Sequence, residues 1–325
     1  MSNGQTSNVY DVIVVGGGAA GLSGALVLAR SRRSVLVIDS GEPRNAPAAA
    51  MHNFLSRDGM NPLALLDVGR VEVRGYGGEL VEGRVRSAAR QANGFSVSLE
   101  DGGMLSARRL LVASGLVDQL PDVPGLSERW GRDVVHCPYC HGWEVRDQAV
   151  GVLGTGPMAV HQALLFRQLT SDVVLFTHTG PSLNDEQAEQ LAARDIRVAS
   201  GRVAGLEVTD DHLTGVRLDD GSLVAREVMV VGAPMVGRSH VLASLGLQPT
   251  PHPLGLGEFI RADATGLTEV PGVWVAGNVM DLSATVIGAA AQGVMAAAAI
   301  NADLVAEDTR RAVITRRDLA LALVG

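Results

Sequence analysis

Aromatic side chains make up only 3% of this 325-residue chain, so its core is not organised around large rings. With 46% hydrophobic residues and 39 glycines, the core must be packed largely from Ala, Val and Leu, a profile that suits α/β layers. Clusters of basic residues are also missing. They occur singly or in pairs such as Arg32–Arg33, Arg108–Arg109 and Arg316–Arg317, and the formal charge is −8. Nucleic-acid binding therefore has no electrostatic footprint here.

The N-terminal stretch Met1–Asn8 is polar and uncharged, without the basic and apolar regions of a secretory signal. It reads as a disordered lead-in to a cytoplasmic protein. The most apolar helical stretch, Ala284–Ile300, is interrupted by Gln292 and falls short of the roughly 20 apolar residues that span a bilayer. It is expected to be a buried helix, with no membrane contact. Cysteine is nearly absent: Cys137 and Cys140 are the only two. They cannot form a disulfide framework, but their offset places both thiols in one local turn. In a reducing compartment such a pair suggests chemistry.

The length predicts two domains. The chain opens with an apolar strand at Tyr10–Val15, a glycine turn at Gly16–Gly21, a helix at Leu22–Arg30 and a strand at Val35–Ile38. A second unit of this kind runs through Ala149–Leu153, Gly154–Ala159, Val160–Leu169 and Val173–Phe176. Between them, strands are expected at Val81–Arg86, Phe95–Leu99 and Leu110–Ala113, arranged in antiparallel hairpins. Asp118–Gly125 and Leu247–Gly257 read as linkers because neither carries helix or strand periodicity. After the second comes a strand at Gly272–Ala276, a Gly277–Asn278 turn and the long Ala-rich helix, a segment able to complete the first domain discontinuously.

Gly16-Gly17-Gly18-Ala19-Ala20-Gly21 fits the GxGxxG pattern. Its first glycine allows a tight turn, the second lets a pyrophosphate approach the backbone, and the third packs helix on strand. The following helix N-terminus favours phosphate charge. Asp39, at the end of the next strand, is suited to a ribose hydroxyl. Gly154, Gly156 and Ala159 form a GxGxxA version of the same turn, with Pro157 where a missing N–H costs little. The run Thr177-His178-Thr179-Gly180-Pro181-Ser182-Leu183-Asn184 after that unit's second strand has no Arg or Lys for a 2′-phosphate, which argues against tight NADPH recognition.

In His136-Cys137-Pro138-Tyr139-Cys140-His141 the two thiols lie within disulfide reach, and CxxC pairs commonly include a thiol of lowered pKa. His141 and His136 are candidate proton-transfer groups. The competing readings are a zinc half-site or two inert core thiols. A zinc site lacks a second cysteine pair, and no metal is expected. The remaining histidines, among them His52, His161, His178, His240 and His252, are isolated and read as surface or hydrogen-bonded residues.

Taken together, the turn at Gly16, Ala113-Ser114-Gly115, the CxxC pair, the second glycine turn and Gly272–Asn278 resemble the low-molecular-weight thioredoxin reductase family over nearly the whole chain. The resemblance implies an α/β fold of two Rossmann-like dinucleotide-binding domains, the second inserted in the first. Residues 1–117 and 246–325 would bind FAD, through Gly16, Gly18, Ala19, Gly21, Asp39, Gly115, Gly277 and Asn278. Residues 118–245 would form a pyridine-nucleotide-type domain carrying the CxxC. The same resemblance assigns Cys140 to the flavin side and Cys137 to the external partner, and implies a homodimer.

Three positions depart from that family. His141 replaces the Asp usual after the second cysteine, and the run Cys140-His141-Gly142-Trp143-Glu144 looks like the gliotoxin- and holomycin-type dithiol oxidases. The family's basic cluster falls on His178, Thr179, Gly180 and Asn184. Asn278 replaces an Asp. These features favour a dithiol oxidase, in which a small-molecule or peptide dithiol is the donor, O2 the acceptor and hydrogen peroxide the product, with His141 removing a thiol proton. The alternative is a reductase that passes electrons from NAD(P)H or a reduced carrier to a thioredoxin-like protein. A non-catalytic flavin-binding protein is a third reading, opposed by the CxxC.

Overall fold

The structure, a computed structural model, describes residues 9–322; the polar lead-in Met1–Asn8 lies outside the described residues. Its largest sheet has seven strands. Val-rich, β-branched runs form its parallel centre, where Val9–Val15 lies between Val35–Asp39 and Met104–Val112. Glu79–Glu82 extends it beyond Val35–Asp39. Met104–Val112 then serves two neighbours, with its first half antiparallel to Gly94–Leu99 and its last residues parallel to Val273–Val275. The sheet thus draws strands from the first 112 residues and from one segment near the other end of the chain.

A second, five-stranded parallel sheet runs in the order Arg197–Ala199, Val173–Phe176, Val150–Leu153, Val228–Val231, Val134–Val135. A three-stranded antiparallel sheet from Val203–Thr209, His212–Leu218 and Leu223–Val224 covers it through a shared core that includes Leu126, Phe176 and Val216. Where the chain passes between the two large sheets, Leu116–Asp118 pairs antiparallel with Met235–Gly237.

Several expected elements differ from those observed. The predicted strand Val81–Arg86 is two strands on opposite edges of the sheet, Glu79–Glu82 and Val85–Gln91. The Gly83 N–H donates to the Asp39 carbonyl at 2.8 Å, closing the first strand, and the chain then leaves that edge. Both predicted linkers contribute to a small sheet, through Leu116–Asp118 and through Thr250–Pro251 and Gly257–Phe259. Gly277–Val279 is a turn of 3₁₀ helix.

The Ala-rich helix is longer and only partly buried, running from Val286 to Ala322. By length and composition it could cross a membrane, but Ala289, Gly293, Ala296, Ala297, Ile300 and Leu304 are buried against the helix Ala19–Arg30 and the core behind it. Beyond Leu304 the helix is largely exposed, and guanidinium groups tie its middle, at 303–308, to the strand Met104–Val112 and to the turn before Val35–Asp39. Arg109 pairs with Asp303 and Glu307, each at 2.6 Å, and Arg33 with Asp308 at 2.8 Å. A pattern read from apolar spacing alone stops where the burial stops.

Candidate functional site

Strand Val9–Val15 ends in a turn whose glycines at 16, 18 and 21 do separate jobs. Gly16 has φ +103°, and a Cβ there would stand 2.4 Å from the Ala113 carbonyl oxygen. A Cβ on Gly21 would stand 1.8 Å from the Gly16 carbonyl oxygen, so the helix lies directly on the strand. Gly18 has no other atom within 4 Å of its would-be Cβ. It opens onto a cleft and serves as the N-cap of helix Ala19–Arg30 without a capping side chain, leaving the helix's first N–H groups free for an anionic ligand.

This cleft, with a volume of about 350 Å³, is lined by Gly16, Gly18, Ala19, Asp39, Gly115, Gly277 and Asn278. Asp39 accepts the Gly17 N–H at 3.0 Å and lies 3.1 Å from Arg70, which fixes its carboxylate on the cleft wall while leaving acceptor capacity. Gly21 is behind the turn and does not line the cleft. At the far wall, the Gly277 N–H donates to Gln292 Oε1 at 2.8 Å. The Asn278 amide donates to the carbonyls of Asp281 and Ala284, at 3.0 and 2.9 Å. A carboxylate could not donate these bonds, so the Asp-to-Asn departure at 278 serves the loop that leads into the long helix.

Cys137 and Cys140 line the same cleft as a disulfide with Cα atoms 5.2 Å apart. Cys137 precedes the short helix Pro138–His141, and Pro138 at its first position needs no N–H partner. That one turn of helix brings the second sulfur back over the first and places His141 beside it. Among the described residues, no three His, Cys, Asp or Glu side chains are grouped to hold a metal.

Both ring nitrogens of His141 are buried and without a hydrogen-bond partner. Burial pushes its pKa below the usual histidine value; the nearby Glu144 charge opposes that shift, while His52 and His136 reinforce it. The result is a neutral, unengaged imidazole on the wall of the cleft. His136 differs: its Nδ1 lies 3.0 Å from the Val231 carbonyl oxygen, which can only accept, so Nδ1 carries the proton.

The segment Met51–Asp58 reaches across to the cysteine helix. The Asn53 amide donates to the Tyr139 carbonyl at 2.5 Å, and His52 Nε2 lies 3.3 Å from Glu144 Oε1. His52, set aside in the sequence as an isolated histidine, therefore stands on the wall of this cleft with His141. No spacing rule connects it to Cys140; only the fold does.

The second glycine turn is built differently. Gly154, Gly156 and Ala159 line a recess of about 20 Å³, shared with Thr177, Gly180 and Leu183. The Thr179 N–H donates to the Gly154 carbonyl at 3.1 Å, and a Cβ on Gly180 would stand 2.9 Å from that oxygen. His178 Nδ1 accepts the Val203 N–H at 3.0 Å, so the one residue retained from a basic cluster is engaged in the fold.

A sequence profile described as pyridine nucleotide-disulphide oxidoreductase matches residues 10–296. Thioredoxin reductase tcpT of Claviceps purpurea is 33% identical over 288 residues, covering 84% of this chain and 88% of that protein. Among solved structures, that of HlmI superposes with a TM-score of 0.89 at 51% identity, covering 94% of this chain and 96% of the other. An oxidoreductase from Agrobacterium tumefaciens superposes with a TM-score of 0.86 at 34% identity, covering 92% of this chain and 99% of its own.

Proposed function

The chain belongs to the pyridine nucleotide-disulphide oxidoreductase family, as a thioredoxin reductase-like, FAD-binding thiol-disulfide oxidoreductase, and we propose that it works within that family as a dithiol oxidase. A small-molecule or peptide dithiol gives two electrons and two protons and leaves as its disulfide. Molecular oxygen takes up both and leaves as hydrogen peroxide. FAD, when bound, supplies the two-electron relay between the cysteine pair and oxygen.

The observation that carries this reading is the inequality of the two glycine turns. The first opens on a large cleft shared with Cys137, Cys140 and His141; the second is filled by its own Thr177–Leu183 loop, whose His178 is already engaged. Gly16, Gly18, Ala19, Gly115 and Gly277 would hold the cofactor with backbone, Asp39 would take a ribose hydroxyl, and Asn278 would fix the loop on the far wall. Gly21 acts one step back, seating the helix. Cys137 would attack or be attacked by the substrate, and Cys140 would pass electrons inward. His141, neutral and unpartnered, would take the thiol proton that makes the nucleophilic thiolate.

We further propose the division into a discontinuous FAD domain, 1–117 and 246–325, and an inserted domain, 118–245, that carries the CxxC, working as a homodimer in the cytoplasm. The seven-stranded sheet assembled from both chain ends supports the division.

The alternative, reduction of a thioredoxin-like protein with NADPH or NADH through Gly154, Gly156 and Ala159, is supported by the retained glycine turn. Anaerobic stopped-flow absorbance separates the two. Rapid bleaching of the flavin by a dithiol but by neither nicotinamide, followed by recovery and peroxide release in oxygen, is the expected result. Bleaching by NADPH or NADH at a turnover-competent rate would overturn it.

A further inference from the structure

Histidines and carboxylates gather around the cysteine helix from three places in the chain. His141 and Glu144 follow Cys140, His136 precedes Cys137, and His52 and Asp58 come from the segment that crosses over them. His52 is held from both sides: its Nδ1 lies 3.4 Å from Asp58 Oδ2, and its Nε2 lies 3.3 Å from Glu144 Oε1. Asp58 is itself fixed, accepting the Asn53 N–H at 2.9 Å, and Asn53 is anchored to the Tyr139 carbonyl. The chain of contacts begins on the cysteine helix at Tyr139 and ends just beyond it at Glu144. Glu144 follows His141 by three residues in a turn closed by the Val145 N–H, which donates to the His141 carbonyl at 3.3 Å, and its side chain, about two-fifths exposed, is held there by His52.

We infer that Glu144, positioned by His52, is the electrostatic partner that keeps His141 basic enough to accept a thiol proton. The inference rests on the proton-accepting role assigned to His141. An imidazole buried with both nitrogens unpartnered is a poor base, because its protonated form is left unsolvated. A carboxylate alongside stabilises that form as it appears, and a carboxylate free to swing into water would do so less well. This base-and-orienter logic is common where a nucleophile must be activated. Glu144 and His52 are positioning residues in this scheme: the S–H bond that breaks and the N–H bond that forms belong to the substrate or Cys137 and to His141.

The charged and titratable groups facing His141 are few. Glu144 favours its protonated form, while His52 and His136 oppose it. Asp58 acts on His52, and Arg146 is stacked on the Trp143 ring with its guanidinium carbon 4.2 Å from the centroid. Replacing Glu144 by Gln removes the favourable charge and leaves the others. The His141 titration midpoint then moves to lower pH, and the acid limb of the reductive half-reaction moves with it. The plateau rate falls only a few-fold, well short of the roughly 10²-fold or greater loss that removing a general base brings.

The test uses the full-length flavoprotein with dithiothreitol as probe. It follows the pH dependence of flavin bleaching in the wild type, Glu144→Gln, His52→Gln and the double variant, together with histidine NMR titration of the oxidised proteins. Expected is a downward shift of the His141 midpoint and of the acid limb in Glu144→Gln, and a clearly smaller shift when the same change is made in His52→Gln. Unchanged midpoints in Glu144→Gln, or shifts of equal size in both backgrounds, overturn the inference. A midpoint that moves while the acid limb stays put upholds the pairing and overturns the assignment of His141 as the base. Glu144→Asp, which keeps the charge on a shorter arm, should restore part of the wild-type profile.

Discussion

Gly293, on the long C-terminal helix, sits directly against the backbone of Ala20 in the first turn of the helix that follows the glycine motif: a Cβ on Gly293 would stand 2.0 Å from the Ala20 carbonyl oxygen. Gly24 faces the same contact, with its would-be Cβ 3.1 Å from the Gly293 carbonyl oxygen and 2.5 Å from a Leu111 methyl. Two helices almost 270 residues apart in sequence therefore touch backbone to backbone, and the first of them presents its N-terminus to the cleft.

Gly293→Ala should consequently act at a distance. The added methyl has backbone on its far side and cannot be accommodated by a rotamer change, so the helices must part. A loss of about 1–3 kcal/mol is expected, along with weaker flavin retention, because the helix start moves with the contact. Denaturant unfolding and the ratio of flavin to protein absorbance measure the two effects. Wild-type values for both would show that the helices do not bear on each other in this way.

Gly18 and Gly21 should separate cofactor binding from folding. A side chain at Gly18 meets no protein atom but projects into the cleft, so Gly18→Val should leave an apoprotein of near-normal unfolding midpoint with FAD affinity reduced at least about tenfold, the cost of about 1.4 kcal/mol. Gly21→Val drives the Cβ itself into the Gly16 carbonyl and should compromise the fold. Equal loss of stability in the two variants would contradict this division.

Much of this arrangement is readable along the chain because its parts are local. The strand–turn–helix at Val9–Arg30 and the cysteine turn at 137–140 lie within a few residues of their own signals, and glycine spacing encodes close approach directly. Other features depend on contacts between distant segments. The run 81–86 has uniform strand character, and only the Gly83 N–H closing on Asp39 shows that two strands part there. From 305 to 322 the helix mixes charged and apolar residues without a buried face, and the tie of its middle to Arg33, Arg108 and Arg109 is invisible from spacing. His52 looks ordinary until Met51–Asp58 is laid over the cysteine helix.

The two cysteines should give distinct variants. With Cys140 replaced by Ser, Cys137 can still capture a thiol-reactive partner, but no pair remains to deliver electrons, so dithiol should no longer bleach the flavin. With Cys137 replaced by Ser, the thiol retained at 140 faces the cofactor cleft and should perturb the flavin's visible spectrum while mixed-disulfide trapping is lost. Absorbance spectra and mass spectrometry of trapped adducts check the pair. Identical behaviour of the two would remove the assigned polarity.

His141→Ala should retain FAD, since the His141 ring donates to and accepts from nothing in the structure, yet slow bleaching by dithiol about 10²-fold or more. The pH dependence has a definite sign. Burial lowers the His141 pKa, so the neutral, proton-accepting form persists to lower pH than for an ordinary histidine near 6.5. The wild-type rate should hold steady as pH falls past that value and decline only below it, and that decline should be absent in the Ala variant. The same depression has a stability consequence: unfolded His141 takes up a proton near its ordinary pKa, so its contribution is intact above that pH and is lost as pH falls towards the lower folded value. An acid limb centred above 6.5 would be incompatible with the buried imidazole.

Arg44 and Asp118 offer a test of how the cleft is tied to the crossing between the sheets. The guanidinium meets the carboxylate through two bonds of 2.7 and 2.6 Å, and the Asp118 side chain is only 5% exposed. Asp118 belongs to the short strand that pairs with Met235–Gly237, while Arg44 lies in the segment that lines the cleft opposite the glycine turn. Arg44→Met should strand a buried carboxylate and cost about 3 kcal/mol, whereas adding Asp118→Asn should recover a good part of it, because the loss comes from the unpaired charge more than from the missing attraction. Unfolding free energies of the two single variants and the double variant decide the matter. If Arg44→Met and the double variant were equally destabilised, the lost packing of the arginine stem would be the cause, and the charge on Asp118 would not depend on its partner.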